Sequence, residues 1–141
     1  MIKVLIVEDD PMVAELNRRY LERVPGFLFC AIASTGNAAL EILRTRNIDL
    51  VLLDIFMPGI NGLELLSKIR AQSYRVDVIV VSAARDNESI QIALRNGAVD
   101  YLIKPFEFER LQAALLMLKK RVQLIKEHSY VSQSELDRDV F

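Results

Sequence analysis

The chain is short of the residues that build many kinds of site. Among 141 residues there is one cysteine, Cys30, and one histidine, His128. A single cysteine excludes an intrachain disulfide, and the apolar run around it predicts a buried free thiol. A single histidine far along the chain argues against zinc, which takes several nitrogen or sulfur ligands. His128 is expected to be a solvent-exposed or linker residue. There is no basic excess: 18 Lys and Arg stand against 19 Asp and Glu, for a formal net charge of -1. Nothing in that balance calls for nucleic acid as a direct partner. No apolar run approaches the roughly 20 residues needed to span a bilayer. The opening run, residues 1–7, is too short for a signal sequence and leads straight into Glu8, Asp9 and Asp10. A cytoplasmic location is expected. There is no Gly-x-x-x-x-Gly-Lys-Ser/Thr loop, and no Gly-x-Gly-x-x-Gly after the first apolar run. A P-loop is therefore unsupported and a coenzyme-binding sheet is disfavoured.

What is present is a regular alternation of short apolar runs with amphipathic stretches. The length suits one domain, and an apolar content of 52% is enough to build a core. Strands are expected over residues 2–7, 27–33, 49–53, 76–81 and 98–103. Residues 50–53 are four consecutive apolar residues, as in a central strand covered on both faces. Pro11 opens a helix carrying Met12, Val13, Leu16, Tyr20 and Leu21 at helical spacing, ended by Pro25-Gly26. Ser34 or Thr35 caps the next, which bears Ala39, Ile42 and Leu43 and closes at Asn47. Asn61 caps a third with Leu65, Leu66 and Ile69; a fourth, residues 86–96, carries Ile90, Ala93 and Leu94 and stops at Gly97. A long helix starts near Glu107. Five strand–helix units with short connections predict an α/β fold, a mainly parallel sheet with helices on both faces.

In such sheets ligands collect at the carboxyl ends of the strands. The polar residues fall there: Glu8, Asp9 and Asp10 after the first strand, Asp54 after the third, Ser82 after the fourth, Lys104 after the fifth. Crowded carboxylates repel unless a cation or a shared proton offsets them. Oxygen ligands alone suit a hard ion, magnesium or manganese. Such an ion and a lysine together neutralise charge on the oxygens of a transferring phosphoryl group. A carboxylate beside them can act as nucleophile and form an acyl phosphate. Asp54, central and alone at its strand end, is the expected phosphoacceptor. Glu8 and Asp9 would hold the metal, and Ser82 would donate a hydrogen bond to a phosphoryl oxygen. Asp10 is divided between this cluster and capping the helix that follows.

These residues lie in the stretches Val4-Leu5-Ile6-Val7-Glu8-Asp9-Asp10-Pro11, Asp49-Leu50-Val51-Leu52-Leu53-Asp54-Ile55-Phe56-Met57-Pro58-Gly59-Ile60-Asn61-Gly62, Val80-Val81-Ser82-Ala83 and Asp100-Tyr101-Leu102-Ile103-Lys104-Pro105-Phe106. As an ordered set they resemble the response-regulator receiver family of two-component systems, over roughly residues 2–122. The resemblance implies a flavodoxin-like (βα)5 three-layer sandwich with strand order 2-1-3-4-5. It also implies phosphorylation of Asp54 by a partner histidine kinase, with slow loss of the phosphoryl group and no turnover as an enzyme. Glu8 and Asp9 match the acidic pair that binds Mg2+ or Mn2+, with the backbone carbonyl of Phe56 as a further ligand. Ser82 and Lys104 match the hydroxyl and lysine positions, and Tyr101 the aromatic position whose rotamer follows that hydroxyl. Phe56 and Ala84 fall two positions after the phosphoacceptor and the hydroxyl, where side chains help set the rate of dephosphorylation. Apolar groups at both imply a long-lived phosphorylated state. Glu8 in place of the commoner aspartate and Ser82 in place of threonine are mild departures.

The finer resemblance is to regulators of the citrate and C4-dicarboxylate type. It implies a receiver over residues 1–122, with residues 123–141 starting a linker towards a helix-turn-helix DNA-binding domain not contained in this chain. The stretch Tyr130-Val131-Ser132-Gln133-Ser134-Glu135-Leu136-Asp137 is similar to the run into that domain. DNA would then be reached only through the second domain, and no membrane partner is implied. Phe108, Leu111, Leu115, Leu118, Val122 and Ile125 form one apolar seam on the last helix. Val122 and Ile125 are expected to lie beyond the sheet edge, exposed unless a partner covers them, which favours a homodimer on phosphorylation. Two other readings stand beside this one. A stand-alone receiver that signals by docking fits less well with the extension past residue 123. A magnesium-dependent aspartyl phosphohydrolase generally has a second aspartate two residues after its nucleophile, where this chain has Phe56.

Overall fold

Strands apolar on both faces decide the layers. In the computed structural model, which describes residues 1–72, 74–127 and 133, five strands form one parallel sheet. They are β1 (Ile2–Val7), β2 (Phe27–Ala33), β3 (Leu50–Leu53), β4 (Asp77–Ser82) and β5 (Ala98–Ile103), in the order β2-β1-β3-β4-β5. The helices are α1 (Pro11–Glu22), α2 (Gly36–Thr45), α3 (Gly62–Ala71), α4 (Asn87–Arg95) and α5 (Phe108–Glu127). Alternate strand residues point to opposite faces. Leu5, Val7, Val51, Leu53, Val78 and Val80 face α2, α3 and α4, packing with Leu43, Leu65, Leu66, Ile69 and Ala93. Val4, Ile6, Leu50, Leu52, Ile79 and Val81 face α1 and α5, packing with Ala14, Leu21, Leu111, Leu115 and Leu118. This is the expected flavodoxin-like (βα)5 three-layer sandwich. No described helix is long and apolar enough to cross a membrane.

The capping chemistry also follows the sequence. Asp10, Thr35, Asn61 and Asp86 each accept a backbone N–H of the following first turn, which satisfies donors a helix start leaves unpaired. Asp10 therefore caps α1. Gly97 stops α4 in the left-handed region, φ 82°.

Four details differ from expectation. Met12 and Leu16 are 82% and 47% exposed, and α1 buries Ala14, Asn17 and Leu21 instead. The inward face of α1 is set by small and polar residues that apolar spacing does not mark. On α4 only Ala93 is buried, and Leu94 is exposed. Cys30 is a free thiol but only half-buried, on β2 at the sheet's edge. Val122 is half-buried against the α1–α5 core rather than free beyond the sheet, while Ile125 is 64% exposed as expected. Helix α5 runs through residue 122 to Glu127 without a break. His128 and most of the stretch from Tyr130 to Asp137 lie outside the described residues.

Candidate functional site

Strand order reverses between β1 and β3, and a crevice opens where the two connections leave in opposite directions. Glu8 and Asp9 follow β1, and Asp54 follows β3. Backbone bonds fix both ends: Glu8 N–H donates to Ala33 O at 3.0 Å and Asp54 N–H to Val7 O at 3.0 Å. One carboxylate oxygen from each of Glu8, Asp9 and Asp54 lies within 4.8 Å of the others. Glu8 and Asp54 are buried, at 3% and 7% exposure, whereas Asp9 faces solvent at the mouth.

Lys104 comes from the end of β5, its N–H held to Ser82 O at 2.9 Å. Its Nζ lies 2.6 Å from Glu8 Oε1 and 3.6 Å from Asp54 Oδ2. The ammonium thus bridges the two buried carboxylates. Burial pushes the Glu8 carboxyl above the usual range; the Lys104 and Asp10 hydrogen bonds oppose this, and the Asp54 charge adds to it. Asp10 N–H also donates to Glu8 Oε2 at 3.2 Å, so the residue that caps α1 steadies the acidic cluster too.

Ser82 is fully buried at the end of β4, and its Oγ accepts the Ala84 N–H at 3.2 Å. Tyr101 on β5 donates its hydroxyl to Ala84 O at 2.8 Å. Burial raises the Tyr101 phenol above its ordinary value, so the hydroxyl remains a proton donor at neutral pH. The loop between β4 and α4 is therefore held at Ala84 by a serine from one side and a tyrosine from the other. Ala84 itself is 5% exposed. Phe56 N–H donates to Asp54 Oδ1 at 3.2 Å, while the Phe56 ring is 59% exposed.

The structure brings Glu8, Asp9, Asp54 and Lys104 into one cluster and puts Ser82, Ala84 and Tyr101 in one hydrogen-bonded group at the ends of β4 and β5. One contributor escapes a search for chemistry-bearing side chains. A Cβ on Gly62 would lie 2.3 Å from Asp54 O and 2.5 Å from Ile55 Cα, so only glycine lets the start of α3 approach this closely. Its N–H donates to Ile55 O at 2.7 Å. The signal was its place beside the Asn61 cap, where glycine has no other evident use.

Three carboxylates with oxygen donors only, one of them open to solvent, fit a hard divalent cation. The acidic cluster at the β1/β3 crevice, with a lysine across it, is that of a phosphorylation-controlled signalling domain. A family model for the response regulator receiver domain matches residues 4–116, and the chain belongs to that family. It is 57% identical to the transcriptional regulatory protein MalR of Bacillus subtilis, over all of this chain and 60% of that protein. It is 47% identical to the transcriptional regulatory protein DcuR of Escherichia coli, over 98% of this chain and 59% of that one. It is closely related to the DctR and DcuR group of regulators. The crystal structure of the response regulator TrrA from Thermotoga maritima, in complex with Mg2+ and BeF, superimposes with a TM-score of 0.73. Its identity is 33%, over 84% of this chain and 99% of that one. The chain spans about three fifths of the length of the curated relatives it matches. The acidic cluster is positioned for Mg2+ or Mn2+ in the manner of receivers, whose chemistry is self-catalysed phosphorylation rather than turnover of a substrate.

Proposed function

We propose that this chain is the phosphorylation-controlled receiver of a transcription regulator and that Asp54 is its phosphoacceptor. The observation that carries the reading is the buried Asp54 carboxylate, 3.6 Å from Lys104 Nζ and clustered with Glu8 and Asp9. An Asp54 oxygen attacks phosphorus, the bond from phosphorus to the donor breaks, and its electron pair leaves with the donor. A bound magnesium or manganese ion supplies charge neutralisation for the phosphoryl oxygens. Glu8, Asp9, Asp54 and the backbone carbonyl of Phe56 would hold it. Lys104 exchanges its contact with Glu8 for a phosphoryl oxygen, and Ser82 donates its hydroxyl to another. Moving the Ser82 hydroxyl frees the Ala84 N–H it now accepts, and the loop that also binds Tyr101 shifts. Tyr101 thus reads the state of Asp54, biasing two packings of the β4–α4 region.

The donor is a sensor histidine kinase, and the output is self-association that switches a DNA-binding domain. Residues 1–122 form the receiver and residues 123–141 begin the linker to that domain, whose place is supported by the longer transcriptional regulators this chain resembles. A kinase-fed protein that acts on DNA works in the cytoplasm. An exposed phenyl ring at position 56 disfavours the phosphohydrolase reading, since it cannot move a proton. Intact-mass analysis after incubation with acetyl phosphate and magnesium tests the proposal. One phosphoryl group per chain is expected. Continuous release of phosphate without accumulation, or no labelling, would overturn it.

A further inference from the structure

Helix α5 has a second apolar row that its own core does not use. Leu111, Ala114, Leu115 and Leu118 face the sheet and are buried, but Leu116 and Met117 are 45% and 46% exposed on the opposite side. With Ala113, Lys119, Lys120 and Gln123 they line a shallow groove of about 570 Å³. Adjacent large apolar side chains on the water-facing side of a helix call for a partner.

Charge selects which partner. Glu109 and Lys120 lie about three helical turns apart, on the same stripe as Ala113 and Leu116 and at opposite ends of it. Both are exposed, and neither makes an ion pair among the described residues. The neighbouring Arg110 is already engaged, 2.7 Å from Asp100. The stripe therefore reads negative, small, large, positive. Laid antiparallel on a copy of itself and centred between Ala113 and Leu116, it sets Ala113 of each helix against Leu116 of the other. The same operation sets each Glu109 against a Lys120. Parallel pairing in register would oppose like charges at both ends. A self-complementary patch of this kind is what a twofold interface requires, and the small Ala113 permits close approach of the helices.

We propose that α5 pairs antiparallel with α5 of a second copy of this chain through Ala113 and Leu116, with Glu109 and Lys120 setting register and direction. This deepens the self-association proposed above and moves it from the Val122–Ile125 end of the helix to its outer middle. The pairing is weak and salt-sensitive, because its ion pairs are exposed.

The test is sedimentation velocity of the 141-residue chain over a concentration series, before and after phosphorylation, with acetyl phosphate labelling measured in parallel. Glu109→Lys and Lys120→Glu should each weaken association roughly tenfold, since each turns two attractive contacts repulsive. The double variant should return to within about twofold of wild type, because the swapped charges again oppose each other. Leu116→Ser should weaken association in any salt. All three substituted positions, Glu109, Leu116 and Lys120, are exposed and none belongs to the acidic cluster, so labelling should be unchanged throughout. Single variants that associate like wild type, a double variant as weak as the singles, or a wild type that labels normally yet stays monomeric would overturn the pairing while leaving the receiver reading intact. Loss of labelling in the wild type would instead count against the receiver reading.

Discussion

Asp54 is buried at 7% exposure, yet its carboxylate belongs to a metal-type acidic cluster and its Oδ2 lies 3.6 Å from an ammonium. That combination needs the surrounding backbone as much as the side chains: Gly62 pressed against Asp54 O, and Asp10 bonded to Glu8. The carboxylates, Lys104 and Ser82 were legible in the sequence because each directly follows an apolar run, and parallel strands end together. The Gly62 approach was not, since a close contact across a loop has no periodic signature. Phe56 and Ala84 illustrate the same limit. As residue types both offer the hydrolytic water no partner, but the structure separates them. The Phe56 side chain is 59% exposed, while Ala84 is covered and works through its backbone N–H and carbonyl. A charged residue at position 84 would enter a covered site, so Phe56→Asn alone is the cleaner probe. An amide there can orient water, and stabilising the transition state by about 1.4 kcal/mol speeds hydrolysis roughly tenfold. In a decay assay with magnesium and no kinase, the variant should lose its phosphoryl group about that much faster; equal rates would remove Phe56 from control of the lifetime.

At the scale of elements, boundaries came from caps and breakers, and the helix starts at Thr35, Asn61 and Asp86 were readable for that reason. The orientation of α1 was not, because Ala14 and Asn17 face inward while Met12 and Leu16 face out. Helix α4 is tied at its carboxyl end by Arg70. The guanidinium donates to Asn96 O at 2.9 Å, Val76 O at 2.8 Å, Gly97 O at 3.1 Å and Tyr74 O at 3.5 Å, joining α3 to the segment that leads into β4 and to the end of α4. Arg70→Met keeps the aliphatic stem and removes all four, leaving carbonyls short of donors. It should cost about 2–3 kcal/mol in denaturant unfolding, with labelling of Asp54 retained. An unchanged midpoint would mean that α4 is held elsewhere. Asp77 opens β4, and burial raises its carboxyl pKa, with Arg121 and Arg70 opposing and Asp49 reinforcing the rise. A raised folded pKa means that the folded chain binds the proton more tightly. Asp77 thus favours folding most below its unfolded pKa, and that contribution is lost as pH rises through the folded pKa. Asp77→Asn should therefore raise Tm at neutral pH, and the gain should vanish in acid below the ordinary carboxylate range. A gain of equal size at both pH values would assign the effect to packing rather than charge.

At the scale of the whole molecule, the layer order follows from which strand residues are apolar on both faces. Only β3 is buried at every position, and it lies in the centre, whereas β2 is just as apolar along its length but lies at the edge and is partly exposed. The strand order itself came with the family resemblance, since apolar runs fix neither neighbours nor handedness. What neither route marked was the outer row of α5, because the seam of Leu111, Leu115 and Leu118 accounts for the helix as a core element and hides a second use of its other face. All the long-range features converge on one carboxylate: two strand ends supply it and its acidic neighbours, a third its ammonium, and a fourth the buried serine that holds the adjacent loop. The decisive measurement is the phosphoryl content of wild type and Asp54→Asn after identical exposure to acetyl phosphate and magnesium, read by intact mass and peptide mapping. The wild type should carry a single phosphoryl group, on the peptide containing Asp54, and the variant should fold normally and carry none. Stoichiometric labelling of the folded variant, or a wild-type phosphoryl group mapped to another residue, would contradict the account.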